Sequence, residues 1–336
     1  MKEILNHLFE HKTLSREQAR EVLVNITAGR YNLSQISSFL TVYMMRSITV
    51  EELEGFRNAL LDQCQRVDLQ AFDPIDLCGT GGDGKDTFNI STLSSFVVAA
   101  NGIPVAKHGN YGVSSSCGSS NVLEALGIRF TTDSSKLERS MEQYNICFLH
   151  APLFHPAMKS VAPIRKDLGV KTFFNMLGPM VNPAFPKKQL VGVFSLELAR
   201  MYGYLYQQQP DVRYSILHTL DGYDEISLTS PFKVIADSSE QLLDAADLGL
   251  SQLRHEQIKG GEGIADSAEI FVRVLQGKGT QAQTEVVSAN AGMAINCARP
   301  EVAIPEAVQM AKETLQSGRA YTLFNKLIQD EKLVKA

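Results

Sequence analysis

Asp76-Leu-Cys-Gly-Thr-Gly-Gly-Asp-Gly-Lys-Asp-Thr-Phe-Asn-Ile-Ser-Thr92 is the stretch on which the reading of this chain turns. Four glycines (Gly79, Gly81, Gly82, Gly84) fall within six residues, after the apolar run 72–78 and before a helical pattern over 92–100. Without a Cβ, a glycine cluster between strand and helix lets the backbone approach an anion closely. The helix that follows aims unpaired N–H groups and the positive end of its dipole at the same spot. Asn89, Ser91 and Thr92 add side-chain donors where that helix begins. The stretch reads as a phosphate cradle; the alternative is a plain glycine turn, for which the polar donors are superfluous.

Gly79-Thr-Gly81-Gly-Asp-Gly84 also fits the G-x-G-x-x-G of dinucleotide-binding folds. That reading needs a helix opening at the last glycine and an acidic residue about 20 positions on. Here Lys85-Asp-Thr-Phe-Asn89 delays the helix, and the next apolar run, 103–110, ends in Lys107 rather than a carboxylate. A Walker loop is excluded because no Gly-Lys-Ser/Thr closes the turn.

The chain has 336 residues, 44% hydrophobic and 21% charged, an ordinary globular composition with ample core for one large unit or two domains. A net charge of −5 argues against a general nucleic-acid or membrane-surface role. Cys64, Cys78, Cys117, Cys147 and Cys297 are scattered, odd in number and free of CxxC spacing, as expected of reduced thiols in the cytoplasm. No leader pattern and no apolar run of membrane-spanning length is visible.

Residues 1 to about 70 read as helices only, with capping boxes at Ser15-Arg-Glu-Gln18 and Thr49-Val-Glu-Glu52. From about 71, β-rich runs alternate with helices, the signature of a mainly parallel sheet. Strands are expected at 72–77, 105–107, 146–149, 189–194 and 214–219, with further ones at 226–229 and 232–235. Helices are expected at 92–101, 119–126, 136–143, 195–207, 267–275, 284–297 and 305–317, the last with Gly318 as C-cap. The stretch 162–186 interrupts the alternation: it reads as helical up to Met180 and then as proline-rich loop, in texture like the amino-terminal helices. The expected organisation is a small all-helical domain (1–70 plus about 163–187) acting as dimerisation surface and hinge. The expected partner is a large α/β domain (71–162 and 188–336) with a mainly parallel sheet flanked by helices.

Lys107-His-Gly-Asn110 ends the second strand, where ligands of parallel sheets sit. Lys107 offers a point charge for phosphate and Asn110 an adaptable amide. The run 112–120 then places glycines and serines at another helix start, a second anion cradle in the next βα turn, although Ser119 or Ser120 would also serve as an ordinary N-cap. Asp224-Glu225 follows the strand at 214–219; adjacent carboxylates repel unless a cation is near, and hard oxygens beside phosphate loops suggest magnesium. Ser91 is a candidate third ligand. Arg165 could clamp a planar carboxylate. His108 and His155 are candidate acid–base groups, but no Ser-His-Asp or Cys-His spacing supports nucleophilic catalysis.

CGTGGDGKDTFNIST (78–92), KHGN (107–110), SSSCGSSNVLEALG (114–127), the stretch 155–184 and LDGYDEISLT (220–229) together resemble the anthranilate phosphoribosyltransferase family, in family order and over nearly the whole chain. The resemblance implies a nucleoside phosphorylase/phosphoribosyltransferase-like fold, usually a homodimer through the helical part. It implies magnesium-dependent transfer of a phosphoribosyl group from phosphoribosyl pyrophosphate to anthranilate, a step towards tryptophan. By position, Gly79, Gly82, Asp83, Thr87, Asn89, Ser91, Thr92, Lys107 and Ser119 would hold phosphoribosyl pyrophosphate and its magnesium. Asp224 and Glu225 would take a second magnesium, and Gly79, His108, Asn110 and Arg165 would meet anthranilate. The chain departs from the family at Tyr111, where arginine is usual, at Asn121, where aspartate is common, and at Ala265-Asp-Ser-Ala268, a loose version of a Glu-Asn-Ala helix start. These departures concern the acceptor side. Two other readings stay open on the residues alone: phosphate-dependent cleavage of pyrimidine nucleosides on the same architecture, and a non-catalytic nucleic-acid-binding relative. The acidic pair speaks against the first and the net negative charge against the second.

Overall fold

A computed structural model describes residues 1–112, 117–237 and 239–333; Val113 to Ser116 of the second cradle lie outside the described residues. The chain forms two compact units, one of residues 1–66 and 151–183, the other of residues 67–150 and 184–336.

In the smaller unit the amino-terminal part is helical: Lys2–Phe9, Arg16–Thr27, Leu33–Met45 and Val50–Asp62. Both expected capping boxes form, and Asn32 with Gln35 makes a third. Glu52 is fully buried, yet its carboxylate accepts from the Leu14 and Thr49 N–H groups and from Arg46 Nη2 at 2.6 Å. A buried charge is tolerable when it is paired and hydrogen-bonded in this way. The stretch expected to be helical through Met180 is not. Its helix, Ala162–Leu168, ends at Gly169 in the left-handed region (φ 65°), and two short 3-10 turns follow, Phe173–Met176 and Gly178–Val181. The second part of this unit also starts at Ala151, before the expected 163, and ends at Pro183 rather than 187. Phe154 is fully buried there and the His155 ring nitrogen Nε2 bonds the Val181 carbonyl at 2.7 Å. Phe173 joins the two parts of the unit, stacking on Phe56 at 4.3 Å and meeting Tyr43 and Phe39 edge-on at 5.3 and 6.2 Å.

The larger unit holds a seven-stranded sheet in the order β3-β2-β1-β4-β5-β6-β7. The strands are β1 (Ile75–Gly79), β2 (Val105–Gly109), β3 (Ile146–His150), β4 (Lys188–Gly192), β5 (Arg213–Thr219), β6 (Phe232–Ala236) and β7 (Glu240–Leu243). The first five run parallel, and the last two add antiparallel to one edge. Helix Ile90–Ala100 packs on β1 and β2, and the long helix Gln281–Ala298 packs on that helix and on β4 and β5. All but one of the residues 286–295 are apolar or small and nearly all are buried, so this helix forms the centre of the core. The strand expected at 226–229 does not form. Leu228 takes a left-handed backbone (φ 61°), and the Thr229 hydroxyl, bonded to Ser227, donates to Asp221 at 2.6 Å, which closes a turn instead. The edge strand β7 and the terminal helix Arg319–Leu333 were not expected from the sequence. No helix among the described residues is long and apolar enough to cross a membrane.

Phe173→Ala should therefore cost the smaller unit about 3–5 kcal/mol, the usual loss for a buried Phe truncated to Ala. Amide hydrogen exchange should show the loss across the helices at 33–62 while the β1–β5 amides keep their protection. Uniform loss over both units would contradict this assignment.

Candidate phosphate and cation site

The sheet order places β1 between β2 and β4, so successive connections leave β1 in opposite directions and open a crevice at its carboxyl end. Gly79 and Gly192 close β1 and β4 side by side, in register. The turn after β5 lies against both. A methyl group on Gly79 would come within 2.6 Å of Asp224 Oδ2, and one on Gly192 would overlap the Asp224 carbonyl oxygen. Both positions are glycine because the acidic turn occupies the space of a side chain.

The two carboxylates are held from the glycine loop. The Gly81 N–H donates to Asp224 Oδ2 at 2.6 Å, and the Ser91 N–H, in the first turn of helix Ile90–Ala100, donates to Glu225 Oε1 at 2.9 Å. The Thr87 hydroxyl reaches Glu225 Oε2 at 3.4 Å. Gly81, Gly82 and Gly84 all have positive φ (62°, 75° and 73°), which turns the loop in a way open to glycine. Asp224 is 8% exposed. Burial and the nearby Asp83 carboxylate push its pKa up to about 7, against the hydrogen bond from Gly81. Burial, then Asp224 and Asp83, hold Glu225 well above the ordinary carboxylate range. A pair held this way favours whatever brings positive charge to it.

Around this pair the sequence-predicted residues divide. Lys107 is not an open point charge: it is 3% exposed, and its ammonium donates to the Leu77 carbonyl and, at 3.3 Å, to Ser91 Oγ beneath the loop. Asn89 precedes the helix without capping it, and its side-chain amide donates to the Cys117 carbonyl at 3.1 Å, tying the first cradle to the second. The Asp83 carboxylate accepts from the Lys85 N–H at 3.1 Å. Thr92 is 1% exposed, and its hydroxyl, like that of Thr80, is buried with no protein partner among the described residues. Ser119 is the first residue of its helix rather than the cap, with Oγ donating to the Asn110 carbonyl at 3.2 Å. Asn121 Oδ1 accepts from both Gly112 and Gly118 N–H, at 3.0 Å each, and so closes the second loop. Tyr111 donates its hydroxyl to Glu124 at 3.0 Å and meets the His150 ring edge-on. His108 is 2% exposed, with its backbone N–H on Asp76 Oδ1 at 3.0 Å. Arg165 belongs to the smaller unit, where its guanidinium lies over the Phe174 ring at 5.3 Å and Nη2 reaches Asn175 Oδ1 at 3.4 Å.

Some positioning residues escaped the sequence reading. Gly192 makes room for the acidic turn, and the Thr219 hydroxyl donates to the Glu225 carbonyl at 2.6 Å. Asn290 bonds the Ile226 peptide. Thr87 bridges to Lys259, and the Gly260 N–H donates to the Asp86 carbonyl at 2.7 Å, so the segment 259–260 braces the glycine loop. The signals were present: a glycine ending β4 and an asparagine in the middle of the apolar and small-residue run 286–295.

Asp224 binds its proton more tightly folded than unfolded, where the ordinary value is about 3.9. Its contribution to metal-free stability therefore falls as pH rises from about 4 to 7, and the whole cost is present above 7. With a chelator present, Asp224→Asn should gain roughly 1–3 kcal/mol on the parent above pH 7 and lose that gain towards pH 4, read by urea unfolding. A variant less stable than the parent at every pH would contradict the strain assigned to the pair.

Residues 72–321 match the model of a glycosyl transferase family a/b domain, and residues 2–64 that of a glycosyl transferase family helical bundle domain. The chain is 63% identical to the anthranilate phosphoribosyltransferase of Christiangramia forsetii over 97% of its own length and 98% of that protein. It is 61% identical to that of Flavobacterium johnsoniae with the same coverage. Among solved structures it resembles the Thermus thermophilus anthranilate phosphoribosyltransferase, at 32% identity and TM-score 0.90, over 98% of this chain and 99% of the other. It also resembles the Saccharomyces cerevisiae enzyme in complex with PRPP and Mg, at 26% identity and TM-score 0.89, over 98% and 96%. The chain belongs to the anthranilate phosphoribosyltransferase family.

Proposed function

We infer that this protein transfers the phosphoribosyl group of phosphoribosyl pyrophosphate to the amine of anthranilate, releasing pyrophosphate, as a step of tryptophan biosynthesis. Kinship carries the reaction; the observation that carries the site is the convergence of the Gly81 and Ser91 N–H groups on the raised carboxylates of Asp224 and Glu225. The structure of the yeast relative with PRPP and Mg, and another of it with 4-fluoroanthranilate, support the same substrates here.

In this reading Gly79, Gly82, Asp83, Thr87, Asn89, Ser91, Thr92, Lys107 and Ser119 hold phosphoribosyl pyrophosphate. Asp224, Glu225 and the Ser91 hydroxyl would hold magnesium, two ions per site. The donor set fits: hard oxygens, a carboxylate pair that gains from a cation, and buried Thr80 and Thr92 hydroxyls without protein partners among the described residues. Among the described residues no three His, Cys, Asp or Glu side chains form a metal cluster by themselves, so substrate oxygens would complete the coordination. When bound, magnesium supplies charge neutralisation to the departing diphosphate. The protein's own part is electrostatic and positional. Lys107, buried and bonded to Leu77 and Ser91, would contribute positive charge from behind the loop, and the helix starts at Ile90 and Ser119 would add the positive ends of their dipoles towards developing negative charge. The aromatic amine is neutral near pH 7 and needs no strong base, consistent with the lack of a catalytic dyad in the sequence. Catalysis then rests on orientation. Asn110, His108 and Gly79 would border the acceptor, and Arg165 would fix its carboxylate.

We assign the smaller unit to dimerisation and hinge motion. Phe9, Leu33, Met44 and Met45 are 58%, 65%, 43% and 84% exposed on its helices, apolar side chains that a second copy of the chain could cover. The biosynthetic role and the five scattered cysteines support a cytoplasmic location.

Loss of anthranilate fluorescence with phosphoribosyl pyrophosphate, followed with magnesium and with chelator, tests the reaction; it should proceed with the first and stop with the second. Turnover of pyrimidine nucleosides with phosphate, and none of anthranilate, would overturn the reading. Arg165→Ala should lower kcat/KM for anthranilate roughly 10- to 100-fold, as expected for charged hydrogen bonds of about 1.5–3 kcal/mol, with KM for phosphoribosyl pyrophosphate little changed. Equal loss towards both substrates would remove Arg165 from the acceptor side.

A further inference from the structure

Both halves of the site hang from one turn of the long helix Gln281–Ala298. Asn290 is 3% exposed and sits among Val286, Val287, Ala289, Ala291 and Met293, all buried. Its Oδ1 accepts from the Ile226 N–H at 3.0 Å, and its Nδ2 donates to the Ile226 carbonyl and to the Val286 carbonyl, each at 2.9 Å. Ile226 is the residue directly after the acidic pair. The amide thus grips that residue at both its N–H and its carbonyl, as a neighbouring strand would.

One turn away, the Val287 carbonyl accepts from the Ser94 hydroxyl at 3.4 Å. Ser94 lies on helix Ile90–Ala100, whose first turn carries Ser91. Residues 287–290 therefore hold the acid turn through Ile226 and the phosphate helix through Ser94. The Ser91 N–H to Glu225 bond closes the circuit. An asparagine inside an apolar helix is costly unless its amide is fully used, and here all of its strong bonds go to the backbone of its own helix and of the acid turn.

We propose that Asn290 is a positioning residue for cation binding: by fixing Ile226 it sets the Asp224 and Glu225 carboxylates at the separation from Ser91 that a divalent cation requires. The proposal rests on the reading that this pair takes magnesium. Its consequence is that removing the amide weakens the cation rather than only loosening the fold.

The test uses the full-length protein with Mn2+ as probe, free Mn2+ being followed by electron paramagnetic resonance with phosphoribosyl pyrophosphate present, far below the melting temperature. Asn290→Ala should weaken Mn2+ binding about tenfold, the lower end of what loss of an outer-sphere partner does to a metal site. Asn290→Asp keeps the acceptor for the Ile226 N–H but sets an oxygen against two carbonyls. It should weaken binding similarly and serves where Asn290→Ala does not fold. A lower melting temperature with unchanged Mn2+ affinity in a folded variant overturns the proposal, since packing alone would then be Asn290's role. Asp224→Asn separates the two levels: if it too leaves Mn2+ binding unchanged, the metal reading fails and the proposal with it.

Discussion

Two adjacent carboxylates in the turn after β5, Asp224 buried and Glu225 half-buried, are the constraint to which the larger unit is built. Left alone, Asp224 and Glu225 repel each other and resist ionisation. What keeps them there is a set of backbone donors and a tightly held turn, with Gly81 and Ser91 bonding the side chains and Thr219 and Asn290 bonding the backbone behind them. The arrangement keeps a local deficit of positive charge next to the glycine-rich turn that we propose receives an anion. A cation and a diphosphate together satisfy what neither satisfies alone.

The sheet topology explains why this occurs at one place. With β4 on one side of β1 and β2 on the other, the glycine loop after β1 and the acid turn after β5 meet at the carboxyl end of β1. Glycine is required where elements press together: Gly79 and Gly192 border the acid turn, and Gly260 leaves room for the Asp86 and Thr87 backbone. The long helix Gln281–Ala298 backs the whole assembly, so the core and the site share one set of contacts.

Much of this was legible in the sequence because it rests on local chemistry. The glycine cluster and the acidic pair stand out by residue type, and the structure brings them together; strand–helix alternation gave the parallel sheet with ends displaced by a few residues. Capping boxes at Ser15 and Thr49 marked helix starts correctly because the motif is satisfied within four residues. The failures are tertiary. Residues 169–181 are apolar enough for a helix, but Gly169 stops it and burial of Phe173 and Phe174 sets 3-10 turns instead. Residues 226–229 look like a strand, but hydroxyl bonds to Asp221 and the contact with Asn290 decide otherwise. Lys107 looked like an exposed cation, yet its partners Leu77 and Ser91 come from elements that no local window connects to it. Asn290 lies more than 60 residues from the turn it holds, beyond any motif.

The most direct test of the central claim is anomalous diffraction at the manganese edge from crystals grown with Mn2+ and phosphoribosyl pyrophosphate. The account predicts a peak within coordination distance of the Asp224 or Glu225 carboxylate, with the diphosphate lying against the glycine loop. A manganese peak and a diphosphate bound elsewhere, with both carboxylates still held by Gly81, Ser91 and Thr87, would contradict it.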